Sequence, residues 1–430
     1  MLKKSFLIFT TLLIAGFFGV VHRASATLVV TPVRNSKAAD YQRPASDSFV
    51  SALVIDVNSN KVLYEYDADR IWVPASLTKL MTSQIFAPQQ TNWNKVVSLK
   101  AEDEVGGGRL RVNTGAQLSV TDVMFSTITA SANNTATAMQ RLTSLTPTQF
   151  ISQMNSRAKE LGCKVADFYD ASGMDPSNKI TARDISIIAK SAWSIPQIKR
   201  AADTASYTFT IRNTSEKKTI KNTNELLLDP NNGLYVTAGK TGYLEESLNN
   251  LVYTVRPSQP SVKQELMVVV LGAPTKAKMF DVAEELTKWA WKAYDWSGET
   301  VEVATDDLRD GSLIKLASAP EVWYVWKEKK YHLPDEVFLN LYFKGKNISI
   351  VDKTSADGLG DGGDYKFDDG ALVKTGVDSS VYLVQGGDLR PIASGEAFES
   401  MGYKWDQIVT VPARVLESYP KAEIITLAVK

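Results

Sequence analysis

The chain has 430 residues, 44% hydrophobic and 22% charged, which is the composition of a globular protein. That length exceeds what a single core serves, so two or more domains are expected. Lys plus Arg and Asp plus Glu both number 48, so no electrostatic case exists for nucleic acid as a partner.

Lys3 and Lys4 precede an apolar run from Phe6 to Val21 and a small-x-small site, Ala24-Ser25-Ala26. This pattern predicts a signal peptide over 1–26, with an uncleaved anchor as the alternative. Either way the body is exported, to the periplasm or the extracellular face of the envelope. No other stretch is long and apolar enough to cross a bilayer. Residues 27–46 are polar, contain Pro32 and Pro44, and read as an irregular linker.

A β-hairpin is expected from Phe49–Asp56 and Lys61–Tyr66 around Asn58-Ser59-Asn60. Pro74 opens a helical pattern through Leu77, Leu80, Met81 and Ile85. Thr121–Leu142 is helical but interrupted at Ser131–Asn134, and helices follow at Thr148–Leu161 and Thr181–Ala192. Strand signal returns at Leu234–Thr241, Asn250–Val255 and Glu265–Leu271, before an amphipathic helix from Lys276 to Tyr294. Strands, helices, strands and a helix in that order predict an α+β domain, an antiparallel sheet with flanking helices, over 47–298.

Beyond Gly298 a repeat appears, with a period of about sixty residues. Asp310-Gly311-Ser312-Leu313-Ile314-Lys315 matches Asp369-Gly370-Ala371-Leu372-Val373-Lys374, and Val322–Val325 matches Val381–Val384. Two small β-rich units are expected, at 305–355 and 365–425. Asp357–Gly370 lacks EF-hand spacing and reads as the linker between them rather than a calcium loop. Trp323, Tyr324, Trp326 and Trp405 in these units are either a wall- or envelope-binding surface or, by the reading favoured for any one of them, core residues.

Scarcity of two residue types narrows the chemistry. Cys163 is alone, so there is no internal disulfide framework. Of the two histidines, His22 lies in the signal peptide and His332 in the repeats. A Ser-His-Asp triad or a His-rich zinc site is therefore improbable, and a hydrolase here needs Lys, Asp or Glu as its base.

Three short motifs stand in order. In Ser76-Leu77-Thr78-Lys79 the i, i+3 spacing on a helix puts the amine beside the hydroxyl. A serine becomes nucleophilic when a neighbour removes its proton, and a lysine does that once burial lowers its pKa. At a helix start, the Ser76 backbone N–H also points toward a developing oxyanion. Ser131-Ala132-Asn133 falls at the helix break, with Ser131 as a proton relay and Asn133 as a holder of Lys79 and a substrate amide. Lys240-Thr241-Gly242 ends a strand-like run. Lys240 and Thr241 are expected to bind a carboxylate, Gly242 to permit close approach, and the Tyr243 N–H to be the second oxyanion donor. Each motif alone is weak; their order and placement carry the reading.

Residues 47–295 resemble the D-alanyl-D-alanine carboxypeptidase family of low-molecular-mass penicillin-binding proteins. Pro74–Thr82 is similar to the family's nucleophile segment. Asn155–Gly162 with Gly173-Met174-Asp175, Thr181-Ala182-Arg183-Asp184, Thr223–Leu227 and Ala238–Tyr243 match further stretches. The resemblance implies a β-lactamase/transpeptidase-like fold. It also implies attack by Ser76 on the carbonyl between the terminal D-alanines of peptidoglycan stem peptides, and β-lactams as covalent inhibitors, with no metal or cofactor. The family often has an arginine near the start of the last helix, where Met279 stands beside Lys276 and Lys278; its middle motif commonly has glycine where Ala132 stands. The rivals are a D,D-endopeptidase or transpeptidase, a β-lactamase, and a catalytically silent envelope-binding protein. A class A β-lactamase would need a glutamate where this chain offers Asp167, Asp170 and Asp175.

Overall fold

The computed structural model describes residues 26–426, apart from 45–47, 91, 260, 299, 305–309, 317–318, 327–328, 345, 347 and 352–355. The expected signal segment up to residue 25, His22 included, lies outside the described residues.

Residues 27–46 differ from the irregular linker expected of them. Strand β1 (Ala26–Val30) pairs antiparallel with residues 300–304, and β2 (Val33–Arg34) with residues 294–295. The side chain of Arg34 lies over the rings of Trp289 and Tyr294, 5.1 and 5.4 Å from their centroids. The segments before and after the 47–298 region are thus strapped together, a long-range pairing that local polarity does not reveal.

The hairpin forms as expected, from β3 (Ser51–Asp56) and β4 (Val62–Tyr66). A short 3-10 turn, Ala75–Thr78, leads into α1 (Lys79–Phe86). A small ladder, β5 (Val96–Ser98) and β6 (Gln117–Ser119), precedes α2 (Val120–Ile128), and the expected interruption falls at 129–132, two residues earlier than the sequence placed it, before α3 (Asn133–Arg141). Helices α4 (Pro147–Glu160), α5 (Ala182–Ala192) and α6 (Pro196–Asp203) complete the helical layer. The hairpin of β7 (Ser206–Thr210) and β8 (Lys217–Lys221) and the short α7 (Glu225–Leu228) follow. Then come β9 (Tyr235–Leu244), β10 (Leu248–Arg256), β11 (Leu266–Ala273) and α8 (Lys276–Ala293).

The central sheet has the order β4-β3-β11-β10-β9, and every neighbouring pair is antiparallel. Its strands alternate between two apolar faces with the period of two that the pleat imposes. Leu53, Val252, Val269 and Leu271 face the helices, joining Leu77, Leu80, Met81 and Phe86. Ala52, Val54, Leu251, Tyr253, Val268 and Val270 face the other way and pack on Met279, Phe280, Ala283, Leu286 and Ala290 of α8. Burial on both faces explains why these strands read as nearly continuous apolar runs. Strand β9 is left at the edge, and its Gly242 lies against the 3-10 turn that carries Ser76.

The Thr181–Asp184 stretch has a structural reason. The Thr181 side chain caps α5. The buried Asp184 carboxylate accepts the backbone N–H groups of Lys164, Val165 and Ala166 at 2.9, 3.0 and 2.9 Å. Arg183 ties the helix to Asp69 and Glu65, each at 2.8 Å.

After α8 come β12 (Tyr294–Asp295) and β13 (Thr300–Ala304), the partners of β2 and β1. The first repeat runs through β14 (Leu313–Leu316), β15 (Val322–Trp326), β16 (Lys329–His332), a helix Glu336–Tyr342 and β17 (Ile348–Val351). The second copies it with β18 set between them: β18 (Gly360–Asp364), β19 (Leu372–Thr375), β20 (Tyr382–Gln385), β21 (Asp388–Pro391), a helix Gly395–Ser400 and β22 (Ile408–Val411). In each, a three-stranded meander is followed by a helix that returns the last strand parallel to the first. The units are β-rich as expected, and each adds a helix. The expected linker Asp357–Gly370 also contributes β18, which pairs parallel with β16. The two copies share one core, in which Tyr324, Phe338, Tyr342 and Phe367 meet Val373, Val384 and Tyr419.

The repeats pack against α6. Asp368 accepts from the Gln197 amide at 3.0 Å and pairs with Arg200 at 3.2 Å, and that guanidinium lies 5.3 Å from the Tyr342 ring centroid. Trp326 packs on the cores of both regions. On its other side α6 meets the site sheet, where Lys199 Nζ donates to the Thr237 carbonyl of β9 at 3.0 Å.

Replacing Asp184 with Ala would strand three backbone donors. The Asp184→Ala variant is expected to lose about 2–4 kcal/mol of stability, read from urea unfolding of the full chain.

Candidate active site

The three sequence motifs converge at one end of β9. Ser76 sits in the 3-10 turn directly before α1, and Ala75 ahead of it is buried with φ of +49°. A non-glycine residue in that region signals a backbone held by its surroundings. Two glycines hold it. A Cβ on Gly173, itself at φ +82°, would stand 2.0 Å from the Ala75 carbonyl oxygen, and one on Gly242 would stand 2.7 Å from that of Pro74. The backbone carrying Ser76 is thus wedged between the loop after α4 and the edge strand, with space only for hydrogen at both contacts.

Lys79 follows one turn later and is fully buried. Its Nζ donates to Ser76 Oγ at 2.8 Å, to Asn133 Oδ1 at 2.7 Å and to the Ser172 carbonyl at 2.5 Å. Burial pushes its pKa down to about 7, while the Asp170 carboxylate nearby pulls the other way. Asn133 is fixed in turn by a loop of three glycines. Its Nδ2 donates to the Gly106 carbonyl at 2.9 Å, and its backbone N–H to that of Gly108 at 2.8 Å.

Ser131 occupies the gap between α2 and α3 with φ of +59°, a turn that aims its hydroxyl at the third motif. Lys240 Nζ donates to Ser131 Oγ at 2.6 Å and to the Thr241 carbonyl at 2.8 Å. Burial holds Lys240 well below its ordinary pKa, and the charge on Lys79 lowers it further. Thr241 Oγ1 donates to Thr223 Oγ1 at 2.6 Å. Tyr243, 63% exposed, lies beyond Gly242 on the rim.

All eight residues singled out from the sequence therefore belong to one cluster: Ser76, Lys79, Ser131, Asn133, Lys240, Thr241, Gly242 and Tyr243. Sequence reasoning missed the Ser172 carbonyl and the aspartate behind it. The Asp170 carboxylate accepts from the N–H groups of Ser172, Gly173 and Met174, each at 3.0 Å, from the Ser172 hydroxyl at 2.5 Å and from Asn178 Nδ2 at 2.6 Å. Burial raises its pKa, but these donors outweigh burial and hold it below the ordinary value. The sequence signal for it is the stretch Asp170–Asp175, whose closely spaced Asp, Ser and Gly form a turn around one carboxylate.

Met279 is 1% exposed and belongs to the core between α8 and the sheet. Lys276 at the start of α8 is paired with Glu225 at 2.6 Å. Cys163 is partly buried, and burial pushes its thiol up to about 12, well out of nucleophilic range. Among the described residues, no group of three or more His, Cys, Asp or Glu side chains gathers as a metal site.

A helical layer over a five-stranded antiparallel sheet, with a serine and two buried lysines at its edge, defines the class of penicillin-recognising serine enzymes. The comparisons agree. The family model for D-alanyl-D-alanine carboxypeptidase, Peptidase_S11, matches residues 37–275, more than half of the chain. The D-alanyl-D-alanine endopeptidase of Haemophilus influenzae is 32% identical over 207 residues, covering 47% of this chain and 69% of that protein. The D-alanyl-D-alanine carboxypeptidase DacF of Bacillus subtilis is 27% identical over 253 residues, covering 57% and 62%. In fold, the chain is similar to the Streptomyces K15 DD-transpeptidase, with a TM-score of 0.52 and 21% identity, covering 58% of this chain and 100% of that one. The D-alanyl-D-alanine carboxypeptidase of Mycobacterium tuberculosis H37Rv gives a TM-score of 0.54 at 20% identity, covering 63% and 100%. The chain belongs to the D-alanyl-D-alanine carboxypeptidase family and is a serine hydrolase.

The Gly173→Ala variant tests the wedge. It is expected to lose about 3 kcal/mol of stability by urea unfolding and to take less fluorescent penicillin, because the added methyl and the strained φ displace the backbone beside Ser76.

Proposed function

We propose that Ser76 is the nucleophile and Lys79 the base of a D-Ala-D-Ala peptidase acting on peptidoglycan stem peptides outside the cytoplasm. The observation that carries this is the 2.8 Å contact between the Ser76 hydroxyl and a buried Lys79 amine whose pKa burial pushes down to about 7. Lys79 takes the Ser76 proton as Oγ adds to the carbonyl between the two D-alanines. The N–H groups of Ser76 and Tyr243 receive the oxyanion. The C–N bond then breaks: Ser131, bonded to Lys240, gives its proton to the departing amine and is replenished by the proton Lys79 took from Ser76, which returns Lys79 to its neutral form. Water attacks the ester as neutral Lys79 accepts its proton, and Lys79 returns that proton to Ser76 Oγ as the acid leaves. Lys240 and Thr241 bind the terminal carboxylate, and Gly242 lets the substrate lie along the free edge of β9. The catalytic unit in this reading is 47–298, preceded by a signal peptide and followed by the two repeats, which remain candidates for envelope contact.

The principal reading is carboxypeptidase action. Endopeptidase action on cross-linked peptides is the second, and the burial of Met279 with the engagement of Lys276 by Glu225 favours it, since these two leave Lys278 as the one cation at the start of α8 without an ion pair among the described residues. Digesting a defined pentapeptide and a cross-linked muropeptide side by side separates the two. β-Lactams should acylate Ser76 and leave slowly. Asp167 is bonded by the Tyr169 hydroxyl at 2.9 Å, and Asp170 is saturated by its five donors, so neither is placed as a free base for deacylating water.

Fluorescent penicillin is expected to label the wild type and not Ser76→Ala, and Lys79→Ala should slow acylation by about 100-fold or more. A folded wild type without Ser76-dependent label would sink the assignment.

The pH profile follows from the sign of the Lys79 shift. The base must be neutral, so acylation should rise as pH passes through about 7 and level off above it. Asp170→Asn removes a charge that favours protonated Lys79, so its midpoint should move lower; an unchanged midpoint would argue against Lys79 as the titrating base.

A further inference from the structure

Beside the second motif lies a cavity of about 630 Å³, lined by Gly107, Gly108, Arg109, Arg111, Asn113 and Ala130 among others. It is contiguous with the catalytic cluster by covalent and hydrogen-bonded neighbours. Ala130 directly precedes Ser131, and Asn133 is clamped by the carbonyls of Gly106 and Gly108 on the same loop. A group bound in the cavity would therefore rest against the wall that positions Asn133 and Ser131. It would not use Lys240 or Thr241.

The charges of the cavity do not cancel. Arg109 pairs with Glu104 at 3.0 Å, and Glu104 is also held by Asn134 Nδ2 at 2.9 Å. That pairing turns Arg109 into a fixed part of the rim, anchored to the residue after Asn133. Arg111 is exposed and has no ion-pair or hydrogen-bond partner among the described residues. Two guanidiniums thus face one carboxylate, leaving one unmatched positive charge. The loop supports its position. The N–H of Leu110, between the two arginines, donates to Asn134 Oδ1 at 2.9 Å, and its side chain is buried. With Leu110 pinned inward, the arginines on either side stay at the surface.

We propose that this cavity is a second anion subsite, in which Arg111 binds a side-chain carboxylate of the peptide substrate upstream of the scissile bond. A guanidinium presents two parallel N–H groups that match the two oxygens of a carboxylate, and such charge-assisted pairs are the stronger kind of hydrogen bond. The volume exceeds that of a carboxylate alone and accommodates the side chain bearing it. The subsite extends the reading of Ser76 as nucleophile and rests on it. It would recognise the body of the peptide separately from its end.

The test uses two synthetic peptides ending in D-Ala-D-Ala that differ only upstream, one carrying a side-chain carboxylate and the other the matching carboxamide. Wild type should favour the carboxylate peptide in kcat/KM by about ten-fold. Arg111→Gln should bring that ratio to about one, mainly through KM, and Arg111→Lys, which keeps the charge without the fork, should give an intermediate ratio. Equal ratios in wild type and Arg111→Gln, with penicillin label present on wild-type Ser76, would overturn the subsite and leave the nucleophile assignment standing. A wild type that takes no label and cleaves neither peptide would overturn both.

Discussion

Two lysine side chains withdrawn from water at the edge of one sheet are the constraint on which the site depends. An ammonium group buried without a full set of partners is costly, so the protein lowers the cost by shifting the proton equilibrium. Lys79 is brought down to about 7, and Lys240 lies well below its ordinary range, partly because Lys79 is near. What charge remains is distributed over fixed acceptors: Asn133 and the Ser172 carbonyl for Lys79, Ser131 and the Thr241 carbonyl for Lys240. Each acceptor lies on a different element. The chemistry of a lysine base therefore requires the helical layer and the edge strand to be held together closely.

Asp170 and the glycine contacts supply that closeness. Asp170 collects three backbone donors, a hydroxyl and an amide, and so fixes the carbonyl that faces Lys79. Gly173 and Gly242 remove the two side chains that would otherwise force the loop and the strand away from Ser76. The repeats connect to the same frame from behind. They dock on α6 through Asp368, Gln197 and Arg200, and α6 bonds to β9 through Lys199. Their aromatic residues divide accordingly. Tyr324 is buried in the shared core, Trp326 bridges to the catalytic core, and Trp405 is 54% exposed, packed on Phe398 with ring centroids 4.5 Å apart. For Tyr324 and Trp326 the core reading holds, while Trp405 alone of the group stands open to solvent at its surface.

Legibility varied with the range of the interaction. The central sheet and its helices were readable because the strands are nearly continuous apolar runs and each helix carries its own apolar period. The break before α3 was readable because polar residues interrupt that period. The pairing of β1 with β13 was not readable, since its register joins residues 26–30 to 300–304 and neither segment has a strong local pattern. The helices of the repeats were hidden by the abundance of Val, Tyr and Trp around them. The strand at Gly360–Asp364 was hidden by its glycines and aspartates, because its place in the sheet comes from backbone pairing with β16 and not from side-chain packing.

By itself the sequence determined the reaction type. With His332 the one histidine outside the expected signal segment, and with Ser-x-x-Lys, Ser-x-Asn and Lys-Thr-Gly in order, lysine-assisted serine chemistry was the reading left standing. It could do so because i, i+3 spacing and strand alternation are local geometry. Only the tertiary structure decided how low the lysines titrate, which carbonyl faces Lys79 and what Asp170 holds. It also decided that Met279 turns into the core and that Arg111 faces a cavity. These depend on burial and on contacts between residues far apart in the chain, and no local pattern encodes either.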